Sequence, residues 1–397
     1  MKISFIVPSR NNLKYLKWMY DSVRKNQGNH DVQICVADDA STDGTWEWCM
    51  DLMDHDHNFI AIKNQGPDRL GLVILNDRLI NEVAKYDICM VFHADMYLMP
   101  GAIDQIEHKL KENTIVSLTR IEPSLHPPGP EKMLFDCGME PEEFEEQKLL
   151  DWFKDIQLNQ LTKCTEGIFA PWAFYKKDFQ EIGGHDLLFA PQSKEDSDIF
   201  NRFQLNGIKF IQTWGGCVYH MTCRGSRFNT FSGGAPGKDS DEWLKQNQKA
   251  TREFIRKWGH FCLHDKFLKP IIPPKYDIGF VITNANLQLI EILEPWCSTV
   301  YYDENEMRNF KYADYIEKED TSFDLYEKFK PYDNEKQNGI LIEIDGSRFS
   351  QDDLNYIQNI SAIINDSGEI GEFQLGNIKV TINNLITTEK ELIICKK

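Results

Sequence analysis

Apolar residues fall in short, nearly unbroken runs at 3–7, 32–37, 59–63 and 88–92. Runs of that length, bounded by polar turns, predict strands buried on both faces. Between them the spacing changes. Leu13, Leu16, Met19, Tyr20 and Val23 recur at helical intervals, and 46–53 and 72–84 read the same way. Strands alternating with helices of this length predict an α/β fold built on a mostly parallel, doubly wound sheet. In such sheets ligands sit beyond the carboxyl ends of the strands, so the residues after each run become the candidates for chemistry.

Past residue 100 the pattern loosens. A helix is expected over 100–110, a proline-rich loop over 122–130 and an acidic helix start over 140–148. An aromatic segment at 166–172 and a turn at 182–186 precede a helix opening at 194–203. Two strand-like pieces follow, 210–214 and 217–220, and then a helix over 243–258. The stretch 269–277, with Pro270, Pro273 and Pro274, reads as a linker. It would divide a first domain, 1–268, from a small α/β domain, 278–397, whose role the sequence does not name. That second part predicts strands at 278–282, 298–302, 340–344, 378–382 and 392–395, and helices at 287–293 and 352–364. Between them 303–336 is polar, acidic and loop-like.

The chemistry clusters after the runs. His93 and Asp95 follow the run at 88–92, and residues i and i+2 of an extended segment point the same way, so both can reach one ion. A strand ending in a polar turn accounts for them equally. Asp38 and Asp39 follow 32–37, where like charges repel unless a donor-rich group, such as a uracil ring or a ribose diol, accepts both. Asp198 and Arg202 are i, i+4 partners and predict a surface ion pair, which leaves Asp196 free to face a cleft. His220 ends a strand. Arg224-Gly225-Ser226-Arg227 is a compact basic loop able to hold a diphosphate. Trp172 and Trp214 suit either a sugar face or the core.

Composition narrows the classes. The 397 residues are 41% hydrophobic with a formal charge of −18, which argues against a nucleic-acid scaffold and against binding anionic lipid by bulk charge. Ten cysteines are scattered without a CxxC pair, as expected of free thiols in a reducing compartment. The spacing of Cys217, His220 and Cys223 matches no zinc motif. The N-terminal apolar run is too short for a signal peptide, and no run reaches membrane-spanning length. A cytoplasmic location is expected.

Six segments in order carry a resemblance: Ile6-Val7-Pro8-Ser9-Arg10-Asn11, Ala37 to Thr45 around Asp38-Asp39, His93-Ala94-Asp95, Gly183-Gly184-His185-Asp186, Glu195-Asp196-Ser197-Asp198 and Val218-Tyr219-His220. The chain resembles, over 1–260, the family 2 glycosyltransferases with the A-type nucleotide-sugar fold. The resemblance implies an inverting, metal-dependent transfer of a sugar from a nucleoside diphosphate donor, expected to be a UDP-sugar, to an acceptor hydroxyl. It implies a donor pocket formed by Pro8, Ser9, Arg10, Asn11, Asp38 and Asp39, with Arg69 near the base. His93, Ala94, Arg224 and Arg227 complete the donor contacts. Asp95 matches the metal-binding aspartate and Asp196 the catalytic base, with Glu195 in support. Trp172 and Gly184 are expected on the acceptor side. Where the family has a first aspartate this chain has His93, an imidazole that suits manganese or zinc better than magnesium, so the expected cofactor is a divalent cation, manganese first, with magnesium still open. His220 would complete the metal set. The acceptor is a glycan, a protein or a small molecule. The alternatives are a nucleotide-sugar-binding protein without turnover, and a transferase acting on modified DNA, which Arg224 and Arg227 keep open. A nucleotidyltransferase would need a glycine-rich phosphate loop after the first strand, and Pro8-Ser9-Arg10-Asn11 has no glycine.

Overall fold

The computed structural model describes residues 1–222, 227, 230, 233–235, 237–302, 311–332 and 335–395. They divide into two compact units: Met1–Asn247 with His264–Pro270 and Ile394–Lys397, and Gln248–Leu263 with Ile271–Ile393. The division thus falls within the helix Asp241–Trp258 as well as near the prolines at 270–274.

The first unit is built on one ten-stranded sheet. Its strands are β1 (Lys2–Ser9), β2 (Asp31–Asp38), β3 (Phe59–Lys63), β4 (Ile88–Val91), β5 (Met96–Leu98), β6 (Thr114–Glu122), β7 (Lys132–Leu134), β8 (Cys164–Thr165), β9 (Trp172–Tyr175) and β10 (Lys209–His220). The order is β3-β2-β1-β4-β9-β6-β10-β5, with β7 beside β6 and β8 beside β10. β3, β2, β1 and β4 are mutually parallel, as are β6 and β10. β9 runs antiparallel between β4 and β6, and β5 antiparallel on β10. The fold is therefore α/β on a mixed, largely parallel sheet.

The helices of this unit are α1 (Leu13–Asn26), α2 (Thr45–His55), α3 (Gly71–Arg78), α4 (Ala102–Lys109), α5 (Glu146–Gln160), α6 (Lys176–Glu181) and α7 (Glu195–Leu205). α1 buries Tyr15, Leu16, Met19 and Val23 on one stripe and ends on Arg24 and Lys25, which suit the negative end of its dipole. α3 starts at Gly71, whose φ of +79° leaves no room for a side chain, since a Cβ would stand 2.2 Å from the Pro191 carbonyl oxygen. That close approach brings the 190–193 turn against the start of α3.

Several expectations shift. β4 stops at Val91, so His93 and Asp95 sit in the turn between β4 and β5 and not on the strand itself. Glu122 ends β6 and does not begin a loop. The pieces at 210–214 and 217–220 form one strand, β10, with a register shift between Thr213 and Cys217. No strand forms at 392–395, while Gly371–Leu375 is a strand the spacing did not announce.

The second unit carries its own six-stranded sheet, in the order Phe329–Pro331, Thr299–Tyr302, Ile278–Thr283, Ile340–Asp345, Ile378–Ile382, Gly371–Leu375. The first four strands are parallel and the last two antiparallel. Phe280, Ile290, Val300, Ile342, Ile364 and Val380 belong to its core. The stretch expected to be loop-like holds helices at Lys311–Lys318 and Leu325–Lys328, while 303–310 and 333–334 lie outside the described residues. No helix among the described residues is long and apolar enough to cross a membrane. Nine described cysteines are free thiols.

Candidate active site

A cavity of about 240 Å³ opens at the carboxyl ends of β1, β4, β6 and β10. Pro8, Ser9, Arg10 and Asn12 form one wall, and Asp39, Arg69, Gly71, Leu72 and Leu75 another. His93, Ala94, Asp95, Arg120, Gln192 and His220 close it. Most residues expected in a donor pocket therefore meet around one space.

Two of them do not. Successive residues after β2 point to opposite sides, so Asp38 and Asp39 part company. Asp38 is buried, accepts the Ser41 N–H at 3.1 Å and does not line the cavity. Its carboxyl is pushed up by burial, against the Ser41 hydrogen bonds. Asn11, at φ +51°, turns its Oδ1 to the Thr42 N–H at 2.8 Å and holds the 41–42 turn, and Asn12 takes the cavity wall.

Asp39 stays at the cavity with most of its acceptor capacity used. Oδ1 accepts from Asn64 Nδ2 at 2.8 Å and the Leu70 N–H at 2.9 Å, and Oδ2 from the Gly71 N–H at 2.9 Å. It pins the loop that carries Arg69. Arg69 donates to Gln192 Oε1 at 2.6 Å and stands 3.8 Å from Asp39 and 3.5 Å from Glu242.

His93, Asp95 and His220 converge, each offering a ligand atom within 4.8 Å of the others. His220 Nε2 lies 3.5 Å from Asp95 Oδ1, and Nδ1 lies 2.8 Å from Glu122 Oε1. Burial pushes His93 down to about 4. Burial also works against charge on His220, but the Asp95 and Glu122 carboxylates outweigh it and hold the ring at about 9. Glu122, despite its burial, is held below the usual carboxylate range by His220, Arg120 and Lys132. Two imidazoles and a carboxylate form a donor set suited to a borderline divalent cation.

Glu195 and Asp196 open α7, three and four residues after Gln192. Ser193 and Lys194 precede them at φ +80° and +68°, and both side chains reach Asn247 Oδ1, at 2.8 and 3.0 Å. Burial and the Asp196 charge push Glu195 up to about 8. Burial also raises Asp196, against the opposing charges of His185 and Arg120. Arg120 lines the cavity, so its field links this carboxyl pair to the cleft. Asp198 and Arg202 do pair, at 2.8 Å, but the pair is fully buried and not on the surface, with Arg202 also donating to the Ile182 carbonyl.

Other expected residues fall elsewhere. Trp172 is 0% exposed on β9, packed against Phe174, Phe200 and Phe203, so it has no face to offer a sugar. Trp172→Ala should destabilise the first unit by about 3–5 kcal/mol, read as a lowered denaturation midpoint. Gly184 packs on Asp77, where a Cβ would meet Oδ2 at 2.5 Å, beside the 2.8 Å His185–Asp77 contact. Trp214 lies under Lys163, 3.5 Å from the ring centroid, and donates to Thr165 Oγ1. Arg227 is bound to Asp239 at 2.8 and 3.0 Å, and Arg224 lies outside the described residues.

Arg120, Glu122, Leu72, Leu75 and Gln192 were not expected. A signal existed for the first two: they come after Ile115, Val116 and Leu118 with the i, i+2 spacing that singled out His93 and Asp95.

A family model described as Glycosyl transferase family 2 matches residues 4–183. An abequosyltransferase, RfbV, of Salmonella typhimurium strain LT2 is 36% identical over 101 residues, 24% of this chain. The match spans only 28% of that relative's length. A mannosyltransferase from Pyrobaculum calidifontis, solved with GDP-Man and Mn2+, is 14% identical over 56% of this chain and 57% of its own, with a TM-score of 0.40. Residues 1–349 of S. aureus TarS, solved with UDP, are 12% identical over 64% of this chain and 66% of that one, at a TM-score of 0.41.

Proposed function

From the match of residues 4–183 to the glycosyl transferase family 2 model, we propose that the chain moves a sugar from a nucleoside diphosphate donor to an acceptor hydroxyl with inversion. The observation that carries the proposal is the meeting of His93, Asp95 and His220 on the wall of a cavity that Arg10 and Arg120 also line. The leaving group is a diphosphate, and the reaction builds negative charge on its oxygen. Asp95, His93 and His220 would hold a divalent cation, with manganese favoured by the two nitrogen ligands and magnesium disfavoured by them. A cation held there would supply positive charge to offset the negative charge on the departing nucleoside diphosphate.

The chain's own groups do the rest. The guanidinium groups of Arg10 and Arg120 add positive charge around the diphosphate. Pro8, Ser9, Asn12 and the Asp39-pinned loop shape the nucleoside end, for which uridine is our choice. Asp196 takes the proton of the attacking hydroxyl on the face opposite the diphosphate, and Glu195, raised by burial and by the Asp196 charge, sits beside it. The acceptor is a glycan, a protein or a small molecule, and the nine free thiols among the described residues fit a cytoplasmic setting.

A thermal-shift screen of nucleoside diphosphates and their sugars, with and without Mn2+, tests the reading. One nucleotide should raise the midpoint selectively and only with the cation. At a hundred times its Kd it would add about 2.7 kcal/mol of stability. If none shifts the midpoint under either condition, the donor reading is wrong.

A further inference from the structure

We propose that Glu122 is a positioning residue for the cation site: it holds the His220 ring so that Nε2 is presented to the space shared with His93 and Asp95. The proposal rests on the cation reading above.

β6 and β10 run parallel with Tyr219 opposite Ile121, so their last residues, Glu122 and His220, emerge side by side. Glu122 Oε1 lies 2.8 Å from His220 Nδ1. Oε2 accepts from Lys132 Nζ at 2.9 Å, and Arg120 Nε stands 3.4 Å from Oε1. The side chain is therefore held from two sides at 1% residue exposure, where an unpaired carboxylate would be strongly unfavourable.

An imidazole whose Nδ1–H is given to a carboxylate has only Nε2 left for a metal, and cannot rotate without breaking that bond. His220 Nε2 is the nitrogen that faces Asp95, at 3.5 Å. Glu122 thus settles which nitrogen is offered and in which direction, before any cation arrives. It touches neither donor nor acceptor. Its effect on transfer runs through His220 alone.

The test is a double-mutant cycle on the full chain, read as Mn2+ affinity by electron paramagnetic resonance without donor. Glu122→Ala should weaken Mn2+ binding about 10–100-fold. His220→Ala should weaken it as well, and the double variant should bind no more weakly than His220→Ala alone. Lys132→Met, which frees the other side of Glu122, should leave Mn2+ affinity close to wild type. If Glu122→Ala costs as much in the His220→Ala background as in wild type, Glu122 acts as a bulk charge and the proposal is overturned. Glu122→Gln repeats the cycle with a side chain of equal size should the alanine variant fail to fold. A wild-type chain that binds no Mn2+, or a His220→Ala variant that binds as well as wild type, removes the cation reading itself.

Discussion

Asp196→Asn should lower the kcat of sugar transfer by about a thousandfold, while the donor Kd should move little. A positioned general base contributes about 10²–10⁴ in rate, and an amide of the same shape cannot accept the hydroxyl proton. The donor should still bind, because Asp196 is not on the cavity wall. Equilibrium titration with the nucleoside diphosphate checks this directly. Lost donor binding would move Asp196 into the donor site and leave the base unassigned.

The same variant has a pH signature. Burial raises both carboxyls of the Glu195–Asp196 pair, and each charge opposes the other. A raised carboxyl stays protonated above the ordinary carboxylate range, so wild-type kcat should climb with pH as Asp196 gives up its proton there. For stability the sign is opposite. The folded state binds the proton more tightly than the unfolded chain, so the pair weakens the fold progressively as pH rises above the ordinary carboxylate range. Asp196→Asn removes one of the pair's two charges and should raise the denaturation midpoint at alkaline pH relative to wild type. An inactive variant with an improved midpoint is the pattern of a strained catalytic pair; an inactive variant that unfolds early would mark a structural carboxylate.

How far the sequence discloses this arrangement depends on what each residue answers to. β1, β2 and α1 are legible because their burial follows from local periodicity: an unbroken run between turns, or one stripe of a helix. β9 is not, since Trp172-Ala173-Phe174-Tyr175 reads as any aromatic stretch, and only β4 and β6 on either side make it a central antiparallel strand. The same limit explains Trp172, for which sugar face and core are indistinguishable until Phe200 and Phe203 of α7 pack against it. The Asp198–Arg202 pairing followed from i, i+4 spacing, whereas its burial depends on what surrounds α7. Asp38 and Asp39 were assigned to one ligand although adjacent residues of an extended chain diverge, a local rule that was there to be applied.

Asp95→Ala should remove the cation dependence of donor binding expected of the proposed site. Asp95 is the only carboxylate of the three converging residues, and hard divalent ions draw most of their affinity from oxygen ligands. With it gone, two imidazoles remain and the converging set has no anionic ligand. Donor affinity measured across a Mn2+ titration should therefore rise in wild type and stay flat in the variant, with transfer lost at every Mn2+ concentration. His220 loses one of its two carboxylate neighbours but keeps Glu122, so the ring stays anchored and the fold should hold. His93→Ala is the informative partner. If His93 is a true ligand, its loss weakens Mn2+ more than Mg2+, because magnesium gains little from nitrogen. If His93 only touches the donor, both cations are affected alike. Unchanged Mn2+ titrations in Asp95→Ala would place the cation elsewhere, and the convergence of these three side chains would then need another cause.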